Sequence, residues 1–316
     1  MKNYTVQKYQ ENHYQKWNAF IADAKNASFL FHRDFMEYHK DRFEDFSLIV
    51  LDGEKWIAVL PANCVGNQIF SHQGLTYGGL AYNENVKSET VEMILDSVLF
   101  FLKGKAIKSL NYHPIPSFYI PKGNSEMDFL LIKKGAILER KEMNLALNLS
   151  SVLDISTSKL KHFRKCQKKE MKIVEENQLA IFWEFVLEPR LLAKHHVKPV
   201  HSKEEILYLN SKFPKNIKQY SAWFEDEMVA GITIFETENV VKSQYGATTT
   251  KGETLRALDF LFITLIEKYK KQGKLFFDMG TVKENNEKGY NPGLLKQKEE
   301  LGCSVYSQDF FKLDLL

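Results

Sequence analysis

Apolar positions in the first half of the chain change period several times, which predicts alternating helices and strands. Spacings of three and four residues predict helices over residues 17–25 and 35–42. The spacing then shortens to that of strands, and Asp52-Gly53 between two of them is typical of a hairpin turn. The further elements predicted in this half are strands 46–51, 56–61 and 68–72, a helix 87–103, a strand 106–112, a helix 128–134 and a strand 136–149.

The second half starts a similar series near residue 150. Residues 157–172 predict a basic helix, and Ser202-x-x-Glu205 is a capping box that opens a later one. A polar loop is expected over residues 248–254, before a strongly amphipathic helix. The other predicted elements are a helix 182–195, hairpin strands 217–224 and 228–236, a strand 240–247, a helix 255–269, a strand 275–279, a short helix 293–302 and a strand 304–313.

Both halves thus run through a helix pair, antiparallel hairpins, a strand, an amphipathic helix, a strand, a short helix and a final strand. A tandem duplication of one unit is the simplest interpretation of that order. The pattern predicts an α/β (α+β) fold with mixed sheets flanked by helices. We expect two domains, residues 1–150 and 151–316, with the final strand packing across.

Composition limits the class of protein only broadly. The chain has 316 residues, of which 44% are hydrophobic and 26% charged, and this composition argues against disorder and low-complexity architectures. The three cysteines are far apart, so neither a disulfide framework nor a cysteine zinc site is expected. The first residues have no apolar signal-peptide core, and the apolar stretches are too short for a transmembrane helix. We therefore expect a cytoplasmic protein.

The net charge of +3 conceals a local excess of positive charge in the basic helix. Because Glu170 is the single acid among seven cations in residues 159–172, this segment carries +6 and the rest of the chain −3. Arg164 and Lys165 lie at its centre, and such a patch attracts phosphate groups. Two interpretations stay open, a site for phosphate or tRNA and a solvated helix face. The seven cations are Lys159, Lys161, Arg164, Lys165, Lys168, Lys169 and Lys172.

A metal site is not expected. His195, His196 and His201 lack the spacing of a zinc-binding helix and an obvious fourth ligand. No serine or cysteine stands in a nucleophile-elbow context, so covalent catalysis is not indicated either.

Four stretches of sequence carry a resemblance to a known family. They are SHQGLTYGGL (71–80), VKPVHS (197–202), SQY (243–245) with RALD (256–259), and FDMG (277–280) with Glu284 and GLLKQK (293–298). With these stretches, the element order is similar to that of GNAT (Gcn5-related N-acyltransferase) proteins, and its tandem form resembles the Fem-type family, which builds peptide bridges of bacterial peptidoglycan from aminoacyl-tRNA. The loop at residues 248–254 has one glycine where GNAT acetyltransferases have a Q/R-x-x-G-x-G/A motif, which fits Fem-type relatives better.

The resemblance implies roles for particular residues. The first domain is the acceptor side, where His72, Gln73 and Tyr77 of the glycine-rich loop are candidates for substrate contact; a tight turn is the alternative. Gln244 and Tyr245 lie on the strand that flanks the donor carbonyl, although Tyr245 also fits a half-buried structural residue. Lys296 and Lys298 are candidates for phosphate contact or are simply exposed.

Two carboxylates are candidate general bases for an attacking amine. Asp278 lies at the carboxyl end of a predicted buried strand, and Glu284 follows six residues later. The alternative is that these acids serve a turn or a helix cap before and after Gly280.

The resemblance implies an N-acyltransferase with no tightly bound cofactor. It would move an acyl or aminoacyl group from acyl-CoA or aminoacyl-tRNA to an amine of a cell-envelope precursor, in peptidoglycan or surface polysaccharide synthesis, or of a nucleotide sugar. Its partner would be a phosphate-bearing small molecule or tRNA. The alternative function is a non-catalytic protein that binds phosphate or RNA on the same scaffold.

Overall fold

The computed structural model describes residues 4–120, 123, 126–176 and 179–315. The chain forms two compact units, Met1–Glu142 with Ser307–Leu316, and Met143–Tyr306. The first unit thus takes in the last residues of the chain, and the strands 137–148 and 304–314 each pass from one unit into the other.

The first unit is a mixed α/β unit with two sets of strands. Its helices are α1 (Tyr14–Asp23), α2 (Arg33–Met36), α3 (Ser88–Gly104) and α4 (Glu126–Lys133). Its strands are β1 (Thr5–Lys8), β2 (Glu44–Asp45), β3 (Leu48–Asp52), β4 (Lys55–Leu60), β5 (Asn63–Val65), β6 (Gln68–Phe70), β7 (Ala81–Tyr82), β8 (Ser109–Tyr112) and the first part of β9 (Ile137–Asn148).

The strands of this unit belong to two sheets. One sheet runs β1-β3-β4-β7, and the β3–β4 hairpin expected at Asp52-Gly53 is present. In the other sheet, β8 pairs with β6, β6 with β5, and β5 with β2. Residues Phe311–Asp314 pair with the free side of β8. The apolar face of α3 packs into the core, as its spacing predicts, with Val91, Ile94 and Leu95 completely buried.

The second unit is also α/β. Its helices are α5 (Thr157–Lys168), α6 (Leu179–Phe182), α7 (Glu188–His195), α8 (Lys203–Lys212), α9 (Thr250–Leu255), α10 (Ala257–Lys271) and α11 (Pro292–Glu300). Its strands are β10 (Lys172–Glu176), β11 (Ile217–Phe224), β12 (Glu227–Glu236), β13 (Val240–Thr248), β14 (Phe276–Thr281) and the first part of β15 (Ser304–Asp314). The sheet order β10-β11-β12-β13-β14 continues into the end of β9, and α10 packs on it through Leu261, Ile263 and Leu265.

Three predicted elements of the sequence are wrong in detail. The basic helix ends at Lys168, because the chain turns at Glu170 (φ 56°) and residues 172–176 pair with β11. The expected helix 182–195 contains a π-helical turn, Trp183–Leu187. The expected polar loop 248–254 is largely helical, because the Thr249 side chain caps α9 by accepting from the N–H of Gly252 at 3.0 Å.

Candidate functional site

Strands β13 and β14 of the second unit diverge after a short parallel ladder. The paired residues of the ladder run from Val240 opposite Phe276 to Lys242 opposite Asp278, whereas β13 continues to Thr248. The register between β12 and β13 shifts at the same level, so that Gln244 is the extra residue of a bulge. A parallel pair that separates partway opens a gap where side chains and backbone groups of both strands are accessible to a ligand.

A buried ion pair lies at the point of divergence. Asp278 is 2% exposed, and its Oδ2 accepts from the Lys242 ammonium at 3.1 Å. Its Oδ1 accepts from the Asn144 side chain and from the N–H of Gly280, both at 2.8 Å. These contacts compensate the buried negative charge of Asp278 and occupy both of its oxygens. They favour a structural role for Asp278, because a general base needs a carboxylate oxygen directed at the attacking amine.

Lys298, a residue of α11, contacts the backbone at the end of β14. The residue is 5% exposed, and its ammonium donates to the carbonyl oxygens of Gly280 and Thr281, both at 2.9 Å. Burial, with the positive charge of Lys242 as a further cause, lowers the pKa of Lys298 to about 8. Lys296 lies on the exposed side of the same helix, 4.0 Å from Glu300, so the two predicted phosphate ligands face different surroundings.

Glu284 lies in the exposed loop before α11, where its oxygens accept from the side chains of Asn286 and Asn291. These contacts hold the loop in place up to Asn291, which is the N-cap of α11. The two carboxylates proposed as bases thus have different environments, one buried in an ion pair and the other exposed in a loop.

The Tyr245 side chain contacts His201, a residue for which sequence reasoning predicted no partner. The Tyr245 hydroxyl lies 2.6 Å from His201 Nδ1 and accepts from the His201 N–H at 3.2 Å. Burial raises the pKa of Tyr245 to about 12, so the phenol is neutral at physiological pH. Its ring meets Trp183 of the π-helical turn edge-on, and the adjacent Gln244 keeps a buried Oε1 for which the described residues offer no hydrogen-bond partner.

A cavity of about 400 Å³ lies beside the second half of β13 and the start of α10. We call it the α10 cavity. Arg190 and Lys194 of α7 line it and pair with Glu253, at 2.6 and 3.2 Å. Arg256 joins α9 to α10 in a left-handed conformation (φ 61°) and is exposed, with no ion pair inside the described residues. Arg256 at the N-terminus of α10, with the two α7 cations that Glu253 partly balances, favours an anionic ligand.

The basic helix divides into a buried and an exposed part. Lys159 is buried and pairs with Asp259 at 2.6 Å, so its charge is compensated. Arg164 and Lys165 are exposed and do not line the α10 cavity. We define the α5 basic face as six exposed cations of α5 and of the residues that follow it, without ion pairs in the described part of the chain, namely Lys161, Arg164, Lys165, Lys168, Lys169 and Lys172.

A cavity of about 440 Å³ lies in the first unit, and His72 and Gln73 line it. Gln73 is tied to buried Asn63, whose side chain exchanges two hydrogen bonds of 2.9 Å with it. Tyr77 does not line this cavity; it is buried, and its hydroxyl donates to Ser28 at 2.9 Å. Of the three predicted acceptor contacts, the structure brings two together at a cavity and places the third in the core.

Solved structures with this fold are known, although their sequences are distant. FemX has 11% identity and a TM-score of 0.72, with 97% of this chain and 96% of FemX covered. L-PGS from Bacillus licheniformis has 14% identity and a TM-score of 0.64, with 97% and 92% covered. The chain has a tandem GNAT-like fold of the Fem type.

A tandem GNAT protein from the clavulanic acid biosynthesis pathway is a further match, with 9% identity, a TM-score of 0.53 and 99% of each chain covered. No protein-family model matches the chain, and no curated protein matches it by sequence. The predicted Fem-type fold is therefore confirmed by structure, at identities that carry no information on the substrate.

Within this tandem GNAT-like fold, sequence reasoning missed the α10 cavity. Arg190 and Lys194 stand on a helix far along the chain from Arg256, and only the predicted closeness of two helices could have joined them.

None of the described helices meets the length and apolarity of a membrane span. Among the described residues, no cluster of His, Cys, Asp and Glu suits a metal ion; the side chain of His195 lies outside them.

Proposed function

We propose that this protein is an N-acyltransferase that moves an acyl or aminoacyl group from a phosphate-bearing donor to an amine. The observation that carries the proposal is the α10 cavity, which adjoins the part of β13 beyond its divergence from β14. The Fem-type fold, which is also that of FemX and L-PGS, supports the same class of reaction.

The donor's phosphate would be held by side chains rather than by backbone amides. In α9 the N–H groups of Gly252 and Glu253 are already bonded to Thr249, at 3.0 and 2.8 Å. They are therefore not available as a nest for a pyrophosphate. Arg190, Lys194 and Arg256 would take that role, and the donor would displace Glu253 from the first two.

In the proposed reaction the neutral amine attacks the donor carbonyl, a C–N bond forms, and the thiol or ribose hydroxyl leaves. The neutral Tyr245 hydroxyl and Gln244 would hydrogen-bond the carbonyl oxygen or the leaving group. Glu284 is exposed and stays available for the amine proton, whereas Asp278 would position β14 through its three contacts.

The acceptor we propose is an amine of a cell-envelope or nucleotide-sugar precursor, the class that the resemblance implies. Its contacts would come from the first unit, where His72 and Gln73 line a cavity.

Titration calorimetry with acetyl-CoA, coenzyme A and uncharged tRNA tests the donor site. We expect one of the two donor classes to bind, and Arg190→Gln with Arg256→Gln to weaken it at least tenfold. Lys55→Gln, an exposed cation of the first unit, is the matched control and should bind as the parent does. If the parent binds none of these ligands, or if the double variant binds them as tightly as the parent does, the assignment of the α10 cavity is contradicted.

A second candidate function is favoured by the α5 basic face. Its six cations form no ion pair among the described residues, which suits a non-catalytic protein that binds RNA or phosphate. Incubation with a mixed pool of aminoacyl-tRNAs and amine acceptors separates the two. Binding of tRNA with no acyl transfer to any acceptor supports this second function, and transfer supports the first.

A further inference from the structure

Two histidines of the cavity in the first unit are fixed in one tautomer each. His72 and His113 line this cavity, which we call the histidine cavity, together with apolar side chains such as Phe70 and Leu75. Each ring uses one nitrogen in a hydrogen bond to the protein. The nature of that bond decides whether the other nitrogen is a donor or an acceptor for a ligand.

His72 presents Nε2–H. The N–H of Gly74 donates to His72 Nδ1 at 3.2 Å, so Nδ1 is the acceptor and the proton of the neutral ring lies on Nε2. His72 is 5% exposed, and Nε2 has no hydrogen-bond partner among the described residues. The backbone is also strained here, with φ at 82°, a conformation that non-glycine residues adopt mostly where the surroundings impose it.

His113 presents Nδ1–H. The amide nitrogen of Gln308 donates to the carbonyl oxygen of Thr76 at 3.2 Å and lies 2.7 Å from His113 Nε2. Because that nitrogen is a donor, His113 Nε2 is the acceptor and the proton lies on Nδ1. No described residue bonds to Nδ1, and the ring is held by stacking on Phe310, with centroids 3.9 Å apart.

Both rings stay neutral in the physiological range. Burial lowers the pKa of His72 to about 3, and burial with the nearby charge of Arg140 lowers that of His113 to about 3. A neutral ring with its lone pair already used is a poor metal ligand, because a metal ion needs that lone pair.

The charges at the rim are also balanced against an anion. Arg140 stacks on Phe310 at 3.7 Å from the ring centroid and pairs with Glu142 at 2.9 Å. Glu139 also lines the cavity. One cation therefore stands with two carboxylates, and the remaining polar side chains of the lining are uncharged, with His72 Nε2–H and His113 Nδ1–H as unused donors among the described residues. Such a cavity suits an uncharged hydrogen-bond acceptor with an apolar body.

We infer that the histidine cavity binds an uncharged carbonyl compound, such as a secondary amide, whose oxygen accepts from His72 Nε2–H or His113 Nδ1–H. Calling this ligand the acceptor substrate rests on the proposed function, whereas the binding itself does not. If the cavity binds amides and no acyl transfer is found, only the proposed function fails.

Three probes of nearly equal shape test the chemistry. Acetanilide carries a neutral amide, phenylacetate a carboxylate, and N-ethylaniline no carbonyl. Titrations would follow the ring C–H signals of protein labelled with ¹³C-histidine. We expect acetanilide to shift the His72 and His113 signals, with at least tenfold weaker binding of the other two probes. Tighter binding of phenylacetate, or equal binding of N-ethylaniline, would overturn the inference.

Two variants and a spectroscopic readout complete the test. His113→Phe keeps the stacking on Phe310 without the N–H, and His72→Asn shortens the side chain with a residue that tolerates positive φ. At least one of them should weaken acetanilide binding, whereas His162→Phe on α5 should not, and full affinity in both His72→Asn and His113→Phe would overturn the inference. Long-range ¹H–¹⁵N spectra of the parent protein should show the Nε2–H tautomer for His72 and Nδ1–H for His113. The opposite tautomers would overturn the inference even if a variant failed to fold.

Discussion

Two lysines on α11 show how strongly the surroundings of a residue decide its chemistry. The Lys296 side chain is 77% exposed, whereas Lys298, two positions later, is 5% exposed and bonded to two backbone carbonyls. The pKa of Lys298 is lowered to about 8 because a buried ammonium loses its hydration. The sequence offers no difference between them, since both are lysines near the end of a short helix.

The lowered pKa makes the contribution of Lys298 to stability depend on pH. Between pH 8 and the ordinary lysine pKa, the unfolded chain binds more protons than the folded one, so stability rises with pH. We expect the parent to gain about 2 kcal/mol over Lys298→Met between pH 7 and pH 10. Urea unfolding of both proteins at each pH measures this difference, in which groups common to both cancel. A difference that stays constant or falls with pH would contradict the burial of a charged lysine.

Asp278 is expected to act on stability far more than Glu284. Asp278→Asn removes the ionic partner of Lys242, a half-buried cation with 13% of its side chain exposed, and should cost about 3–5 kcal/mol. Glu284→Gln changes an exposed loop and should cost less than about 1 kcal/mol. Urea denaturation gives both values. Recovery of stability in Asp278→Asn with Lys242→Met would identify the ion pair as the cause, whereas a small loss for Asp278→Asn alone would show that the pair is not structural.

At the scale of elements, the turn after β6 shows how closely backbones approach near the histidine cavity. A Cβ on Gly78 would lie 1.5 Å from the carbonyl oxygen of Ser71. The N–H of Gly78 donates to the carbonyl oxygen of His113 at 2.7 Å. Gly78 is thus a glycine for lack of space rather than for turn flexibility. The contact ties the glycine-rich loop to the end of β8.

Gly78→Ala should therefore destabilise the protein by about 3 kcal/mol or more, because the backbone must move. Gly104→Ala is the matched control, since a Cβ at the end of α3 meets nothing within 4 Å. It should be neutral or stabilising by less than about 1 kcal/mol. Thermal and urea unfolding of the two variants compare them. Equal stability of the two alanine variants would show that the loop yields easily.

At the scale of the whole molecule, a nearly neutral chain carries its charge unevenly. The net charge is +3, yet the α5 basic face alone presents six exposed cations. The α10 cavity holds further cations that are partly balanced by Glu253. Average charge thus says little about partners, whereas the exposed and unpaired subset indicates a polyanion.

Substituting Arg164, Lys165 and Lys168 together by glutamine tests the α5 basic face. If tRNA contacts this face, its affinity should fall and the slope of log K against log salt should become shallower by about 0.7 to 0.9 per lost phosphate contact. Fluorescence anisotropy with uncharged tRNA at several KCl concentrations measures both. The Lys55→Gln control should keep the parent slope. An unchanged slope in the triple variant would place tRNA elsewhere or exclude it.

The sequence by itself determined the series of elements, because apolar spacing and turn residues act locally. The hairpin at Asp52-Gly53, the amphipathic helices α3 and α10 and the doubling of one α/β order follow from it, and so does the Fem-type resemblance that structural comparison confirms. The candidate residues Tyr245 and Lys298 came from the resemblance, as side chains of a strand and a short helix that it implicates, and their roles stay predictions.

Only the tertiary structure decided which of those residues meet. It paired Asp278 with Lys242, Tyr245 with His201, and Arg190 with Glu253, partners that stand on separate elements. It also ended the basic helix at Lys168, because residues 172–176 pair with β11, and it buried Lys159 in an ion pair with Asp259. Periodicity reports which face of an element is apolar; contacts, desolvation and tautomers depend on groups brought together from distant positions.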